Sequence, residues 1–138
     1  MDNNFICPYC RGHIKVGENI IFTVRNRYKH KGLLLLHPEI GNYSSIKHPD
    51  FDFCEGERID FYCSICAHPL ESDFDRNLVY VVMVDKEHKE HDIYFSRIFG
   101  ERSTYQVTDE EMTATGEHAS RYTYFKMDQK FRKYVKAR

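Results

Sequence analysis

Two short stretches decide the fold, Cys7-Pro8-Tyr9-Cys10 and Cys63-Ser64-Ile65-Cys66, and together they hold four of the five cysteines of this 138-residue chain. Two thiolates that are separated by two residues in a tight turn can reach the same ion, and a second such turn completes a shell of four sulfurs. Structural zinc prefers this closed shell. The sequence therefore predicts one Zn²⁺ per chain, with Cys7, Cys10, Cys63 and Cys66 as its ligands.

Each cysteine pair lies beside a predicted strand, and in this respect the pairs resemble the two knuckles of zinc ribbons and rubredoxins. The resemblance implies the same four ligands, with Pro8 stiffening the first turn. Glycine often follows the second cysteine in these families, whereas Arg11 and Ala67 follow it here, which predicts a local departure in geometry. The insertion of 52 residues between the pairs is longer than in a minimal ribbon. A later run, residues 93–101, resembles segments of small bacterial zinc-ribbon proteins of no known activity.

Other readings of the cysteines stay open at this point. Iron in the same four-sulfur shell would make a rubredoxin-like electron carrier, because only the redox chemistry of the metal differs. The pairs could also be buried thiols or two disulfides, whereas neither pair opens a helix as a thioredoxin-like redox site would. Cys54 is predicted to be a free thiol, and His13 and His68 are predicted to lie near the shell without entering it.

Length and composition indicate a single, mainly β domain. The chain falls in the usual size range of one domain, and aromatic residues, ten Tyr and ten Phe, make up 14% of it, which favours strands. The N-terminus shows no signal-peptide pattern, and the longest purely apolar run, residues 33–36, is far too short to span a membrane. Thiols that must stay reduced to hold a metal fit a cytoplasmic location.

Apolar alternation and turn residues place the elements along the chain. Strands are predicted at residues 18–24, 33–36, 57–63, 78–84, 91–98 and 104–107, a loop at 37–50, and short helices at 117–122 and 127–135. The fold class is therefore a zinc-ribbon hairpin with two Cys knuckles, an antiparallel hairpin-rich lobe and a short C-terminal helix.

Charge is distributed unevenly along the single predicted domain, residues 1–138. A zinc-stapled lobe, residues 1–70, has a net charge of zero, the antiparallel hairpin lobe, residues 71–125, has −6, and the tail, residues 126–138, has +5. The chain is thus not a uniformly basic nucleic-acid binder. The basic tail could bind nucleic acid or dock on the acidic region of the same or another chain.

The turn after the first strand carries the candidate partner contacts: Arg25, Arg27, Tyr28, Lys29 and Lys31. Cations of this kind release counterions from phosphates and the ring can stack on a base, although a solvated hairpin tip would look the same in sequence. Because the following lobe is acidic, we expect a protein partner in preference to nucleic acid.

Catalytic machinery is not predicted. A four-cysteine shell leaves zinc no open position at which to activate water. His91 and His118 are the least implausible participants in a reaction, and no nucleophile or second acid is fixed beside either of them by the sequence. We therefore expect a non-catalytic binding module.

Overall fold

The computed structural model describes residues 3–73, 75–108 and 112–119. In these residues the chain forms ten strands: β1 (Asn4–Ile6), β2 (Lys15–Val16), β3 (Asn19–Arg25), β4 (Lys31–Leu36), β5 (Ser45–Lys47), β6 (Asp60–Cys63), β7 (Leu78–Val84), β8 (Glu90–Ser96), β9 (Thr104–Val107) and β10 (Met112–Thr115). The predicted mainly β class is confirmed. Over the same residues, no helix has the length and apolar character that a membrane crossing requires.

The first sheet has the strand order β1-β7-β8-β9-β10, and every neighbouring pair is antiparallel. Its centre is the predicted hairpin of β7 and β8. The strand β7 reads as a nearly continuous apolar run because both of its faces are covered. Val79 and Val81 face the main core, whereas Leu78 packs with Tyr94 and Tyr105 in a smaller cluster.

The second sheet has the order β2-β3-β4-β5, and β6 also pairs with β3. Along β3, Ile20, Phe22 and Val24 are buried and alternate with half-buried residues, as expected of a strand with one face on the core. The strands β4 and β6 flank β3 on opposite sides, and the pairing places Leu34 and Cys63 opposite Phe22.

One hydrophobic core joins the two sheets. Phe22 and Phe61 from the second sheet meet Phe95 from the first, with ring centroids 5.3 to 5.7 Å apart. The sheets do not follow chain order, because β1 precedes the whole second sheet in sequence but pairs with β7 in the first. The division of the chain into lobes at residue 70 stays a prediction.

The remaining predictions of secondary structure are partly correct. The hairpin of β3 and β4, the strand leading to Cys63, and β9 lie where the sequence places them. The predicted loop at residues 37–50 is wrong at β5, since the open edge of β4 offers backbone partners that residues 45–47 satisfy. The helix predicted at residues 117–122 is wrong in its described part. Glu117 and His118 lie in a turn, and the amide of His118 donates to the carbonyl of Arg102 at 2.9 Å. The C-terminal helix predicted at 127–135, like the basic tail, lies outside the described residues.

Candidate metal centre

The first knuckle is the turn that follows β1. The Sγ atom of Cys7 accepts hydrogen bonds from the amides of Tyr9 at 3.3 Å and Cys10 at 3.5 Å. The amide of Arg11 donates to the carbonyl of Cys7 at 2.9 Å, and that of Gly12 donates to Cys10 Sγ at 3.4 Å. The turn therefore aims several N–H dipoles at its two sulfurs, which favours their thiolate form.

The second knuckle repeats this arrangement at the end of β6. The Sγ atom of Cys63 accepts from the amides of Ile65 at 3.3 Å and Cys66 at 3.4 Å. The amide of Ala67 donates to the carbonyl of Cys63 at 3.0 Å, as Arg11 does in the first knuckle. The two turns are thus built alike, although their sequences share only the cysteines.

The residue after each pair adopts the left-handed conformation. Arg11 has a φ of 62° and Ala67 a φ of 64°. This is a backbone region in which glycine is favoured and other L-residues are strained. The departure in geometry predicted from the missing glycines is therefore wrong: both knuckles keep the left-handed residue, and two side chains accept the strain.

The structure brings the four predicted ligands together. The Sγ atoms of Cys7, Cys10, Cys63 and Cys66 all lie within 4.8 Å of one another, and this cluster can hold a metal ion. Two sulfur pairs that link the knuckles, Cys7 with Cys66 and Cys10 with Cys63, are separated by 3.9 and 3.8 Å. These distances far exceed a disulfide bond of about 2.05 Å, and all five cysteines are free thiols.

Burial differs within each pair. Cys7 and Cys63 are buried, whereas Cys10 and Cys66 are exposed. Burial raises the pKa of Cys7 to about 12, more than its hydrogen bonds from the amides of Cys10 and Tyr9 can offset. For Cys63 burial also favours the neutral thiol, but hydrogen bonds from the amides of Cys66 and Ile65 outweigh it, and its pKa is lowered. An ion would have to displace a proton from Cys7 on binding.

Three residues near the knuckles lie outside the cluster of sulfurs. His68 stacks on Tyr9 with ring centroids 3.7 Å apart, so the two rings bridge the knuckles. The His13 ring contacts Asn4, and Cys54 is exposed in the turn before β6. Among the described residues, neither the histidines nor Cys54 belong to the group of potential ligands.

The predicted partner contacts at the hairpin tip are partly engaged in ion pairs. Arg25 donates to Asp60 Oδ2 from Nε at 3.0 Å and from Nη2 at 2.8 Å. The Arg27 guanidinium pairs with the buried carboxylate of Glu57.

The other three predicted contacts lie nearer to solvent. Tyr28 is 58% exposed, and the Arg27 guanidinium lies over its ring at 4.4 Å. Lys29 is exposed, with a left-handed φ of 67°. Lys31 lies 5.9 Å from the ring of Tyr62. The sequence missed the carboxylates that occupy Arg25 and Arg27, because each lies at least 30 residues away along the chain.

The two histidines singled out for catalysis are engaged in hydrogen bonds. The His91 ring contacts Asp85 Oδ2 at 2.9 Å through Nε2, and Gln106 Nε2 at 3.1 Å through Nδ1. His118 Nδ1 accepts from the amide of Arg102 at 2.9 Å. In both residues a ring nitrogen therefore serves to fix local structure.

Comparisons with protein-family models, curated proteins and solved structures found no match to this chain. The assignment of the site therefore rests on its own residues and geometry.

Proposed function

We propose that this protein is a non-catalytic binding module that is stapled by one structural zinc ion and docks a partner protein on its second sheet. The observation that carries the zinc assignment is the cluster of four sulfurs within 4.8 Å. Zn–S bonds of about 2.3 Å in a tetrahedral shell put the sulfurs about 3.8 Å apart. The separations of 3.8 and 3.9 Å across the knuckles fit that shell.

Zinc would act by joining the two sheets. The first knuckle follows β1, which belongs to the first sheet, and the second knuckle begins at Cys63, the last residue of β6 in the second. One ion bound to both would thus hold together two elements that are more than 50 residues apart. Because binding energy at such a site is folding energy, metal removal should destabilise both sheets.

Iron is the alternative occupant of the same four sulfurs. We favour zinc because a closed shell has no free coordination position and zinc, which has no redox chemistry, suits a purely structural role. The rubredoxin-like alternative predicts a coloured protein, since ferric iron bound to four thiolates is red whereas zinc thiolates are colourless.

Metal analysis of untagged protein tests the assignment, together with removal of the metal by a strong chelator. We expect one zinc per chain, no visible absorption, and a loss of near-ultraviolet dichroism on chelation. The variant Cys10→Ser should lose zinc, whereas Cys54→Ser removes an exposed thiol outside the cluster and should keep it. Thermal melting that is unchanged after complete removal of the metal would refute the structural role.

The proposed docking surface is the outer apolar face, which we define as Ile21, Leu33, Leu35 and Ile46. Strand pairing places Leu35 beside both Ile21 and Ile46, and Leu33 points to the same side of β4. Leu33 is 54% exposed and Ile46 is 59% exposed. Adjacent large apolar side chains on one open sheet face are typical of protein-interaction surfaces.

Cations border the outer apolar face. Arg25 and Lys31 lie 5.8 and 5.9 Å from the ring of Tyr62, which pairs with Thr23 on the same side of the sheet. Lys29 and Tyr28 extend from the adjoining hairpin tip and are exposed. The complementary partner is a protein with an apolar patch and an acidic rim.

Binding of nucleic acid by the hairpin at residues 25–31 is the second candidate function, and its support is weaker. Two of its four Lys and Arg side chains, Arg25 and Arg27, are paired with carboxylates. Such pairs lower the positive potential available to phosphates. The adjoining sheet face is aliphatic, whereas nucleic-acid platforms use several stacked aromatic rings.

A comparison of two variants separates these functions. The double variant Leu33→Ser, Ile46→Ser should keep zinc content and melting temperature, since both side chains are exposed, but it should lose a protein that the wild type retains from a cell extract. The double variant Lys29→Gln, Lys31→Gln should affect only salt-sensitive binding to labelled RNA or DNA. A partner retained equally by the wild type and the Leu33, Ile46 variant would contradict docking on the outer apolar face.

A further inference from the structure

A cavity of about 660 Å³ lies between the two sheets. Leu34 and Phe61 line it from the second sheet, and Val81 and Phe95 line it from the first. The loop after β4 and the turn between β8 and β9 form its polar end. Small-molecule sites have volumes of about 300–1,000 Å³, with apolar walls and a few polar groups. The size and the lining of this cavity match that description.

One buried hydroxyl in the cavity lining has no partner. Ser103 lines the cavity and has no exposed surface, and its Oγ makes no hydrogen bond to any residue that the structure describes. Buried polar atoms in proteins are nearly always hydrogen-bonded. A ligand that carries a hydrogen-bond donor would satisfy this oxygen.

The polar end of the cavity is acidic. Its lining includes four carboxylates, Glu39, Glu55, Glu101 and Glu117, and Arg102 is the one Lys or Arg among the described lining residues. The Arg102 guanidinium lies 5.8 Å from the Tyr43 ring. The Glu55 carboxylate packs on Gly100, where an added Cβ would lie 2.1 Å from Oε1, so this backbone holds the carboxylate at the cavity.

The histidines of the lining add no fixed positive charge. His37 Nδ1 accepts from the amide of Glu39 at 3.1 Å, and His118 Nδ1 accepts from the amide of Arg102 at 2.9 Å. An Nδ1 atom that accepts a hydrogen bond belongs to a neutral imidazole. The surplus of negative charge at the polar end is therefore not neutralised by these rings.

We propose that the cavity between the sheets binds an amphiphilic primary amine. The apolar body of the ligand lies between Phe61 and Phe95, and its ammonium group donates to Ser103 Oγ and faces the surrounding carboxylates. An ammonium has three N–H donors and no acceptor, which suits one hydroxyl oxygen and an acidic rim. A carboxylate ligand of the same length would meet repulsion there. This site is separate from the zinc cluster and from the outer apolar face.

Calorimetric titration of the zinc-loaded protein with three probes tests the proposal: decylammonium, decanol and decanoate, each below its aggregation concentration. We expect saturable binding of one decylammonium per chain, with decanol weaker and decanoate at least about tenfold weaker than the amine. Decanoate binding as tight as the amine, or no saturable binding of decylammonium, would overturn the proposal.

Three variants locate the site. Leu36→Phe fills space at a partly buried position of the lining and should abolish binding of all the probes that bind. The triple variant Glu39→Gln, Glu101→Gln, Glu117→Gln should weaken decylammonium by about tenfold and leave decanol unchanged. Its control is Glu18→Gln, Asp73→Asn, Glu87→Gln, which makes the same change of net charge at exposed positions outside the cavity. Equal loss of amine binding in both triple variants would show a general charge effect and refute the assigned contacts, as would unchanged binding in Leu36→Phe.

Discussion

Replacement of Glu57 by Ala should unfasten the turn that carries Cys54 from the tip of the β3–β4 hairpin. The Glu57 side chain is 5% exposed. Its Oε2 accepts from the amide of Arg27 at 2.8 Å, and its Oε1 accepts from the amide of Cys54 at 2.8 Å. The Arg27 guanidinium adds an ion pair to the same carboxylate. One carboxylate thus holds together segments that are 30 residues apart.

The magnitude follows from the two amides that lose their acceptor. Leaving a buried donor without a partner costs about 1–3 kcal/mol, and partial access of water to these amides favours the lower half of that range. We therefore expect Glu57→Ala to lower the free energy of unfolding by about 2–3 kcal/mol. At this chain length the melting temperature should fall by roughly 6–12 °C. Glu57→Gln keeps one acceptor oxygen and should cost about half as much.

Urea denaturation of the zinc-loaded protein, followed by circular dichroism, measures the change. The midpoint should shift while the slope stays constant, since the same surface is exposed on unfolding. Glu55→Ala is the matched control, because Glu55 is an exposed carboxylate two residues away, and it should change the stability by less than about 0.5 kcal/mol. A loss in Glu57→Ala no larger than in Glu55→Ala would refute the argument, because water would then serve these amides equally well.

The same carboxylate predicts a pH dependence. Burial would raise the pKa of Glu57, but hydrogen bonds from the amides of Cys54 and Arg27 and from the Arg27 side chain outweigh it, so the folded pKa lies below the ordinary 4.5. The unfolded chain therefore binds the proton more readily. The contribution of Glu57 is fully present above pH 4.5 and is lost as the pH falls through the lower folded pKa. The difference in stability between the wild type and Glu57→Gln should shrink accordingly in acid.

Three further changes test the metal site and the core. Zinc affinity, measured by competition with a chelator, should fall by at least about tenfold per pH unit from pH 8 to 6, because Cys7, with a pKa of about 12, must release a proton throughout that range; a pH-independent affinity would contradict this. Ala67→Gly should raise the free energy of unfolding by up to about 1 kcal/mol, since position 67 has a φ of 64°, and a destabilised variant would show that no strain is stored there. Phe95→Ala should lower it by about 3 kcal/mol, because this ring contacts Phe22 and Phe61 across the sheets; a cost equal to that of Tyr28→Ala, which removes an exposed ring, would contradict the packing argument.

Short-range patterns predicted much of the fold. The runs at residues 78–84 and 104–107 have enough apolar positions to define a strand, and both strands are found at those limits. The strands β1, β2, β5 and β10 were not predicted. They have two to four residues, too few to show a periodicity, and they are strands because a neighbour offers them backbone partners.

The cysteines show the same division between local and long-range information. The Cys-x-x-Cys spacing by itself named the four sulfurs, because two ligands in one turn are a local arrangement. The left-handed residue after each pair was expected to change without glycine, yet Arg11 and Ala67 both adopt it. The closure of each turn by hydrogen bonds to sulfur and carbonyl groups fixes that conformation more strongly than the side chain opposes it.

The sequence by itself determined the mainly β class and the residues that can form a four-sulfur shell, since both depend on spacings within a few residues. Only the tertiary structure decided that β1 joins the first sheet, so that the two knuckles hang from different sheets. It also decided that Arg25 and Arg27 face carboxylates and that a cavity with a buried, unpartnered Ser103 hydroxyl lies between the sheets in the described part of the chain. These features depend on strand register and on the packing of one sheet against the other, which bring together residues that are distant in sequence.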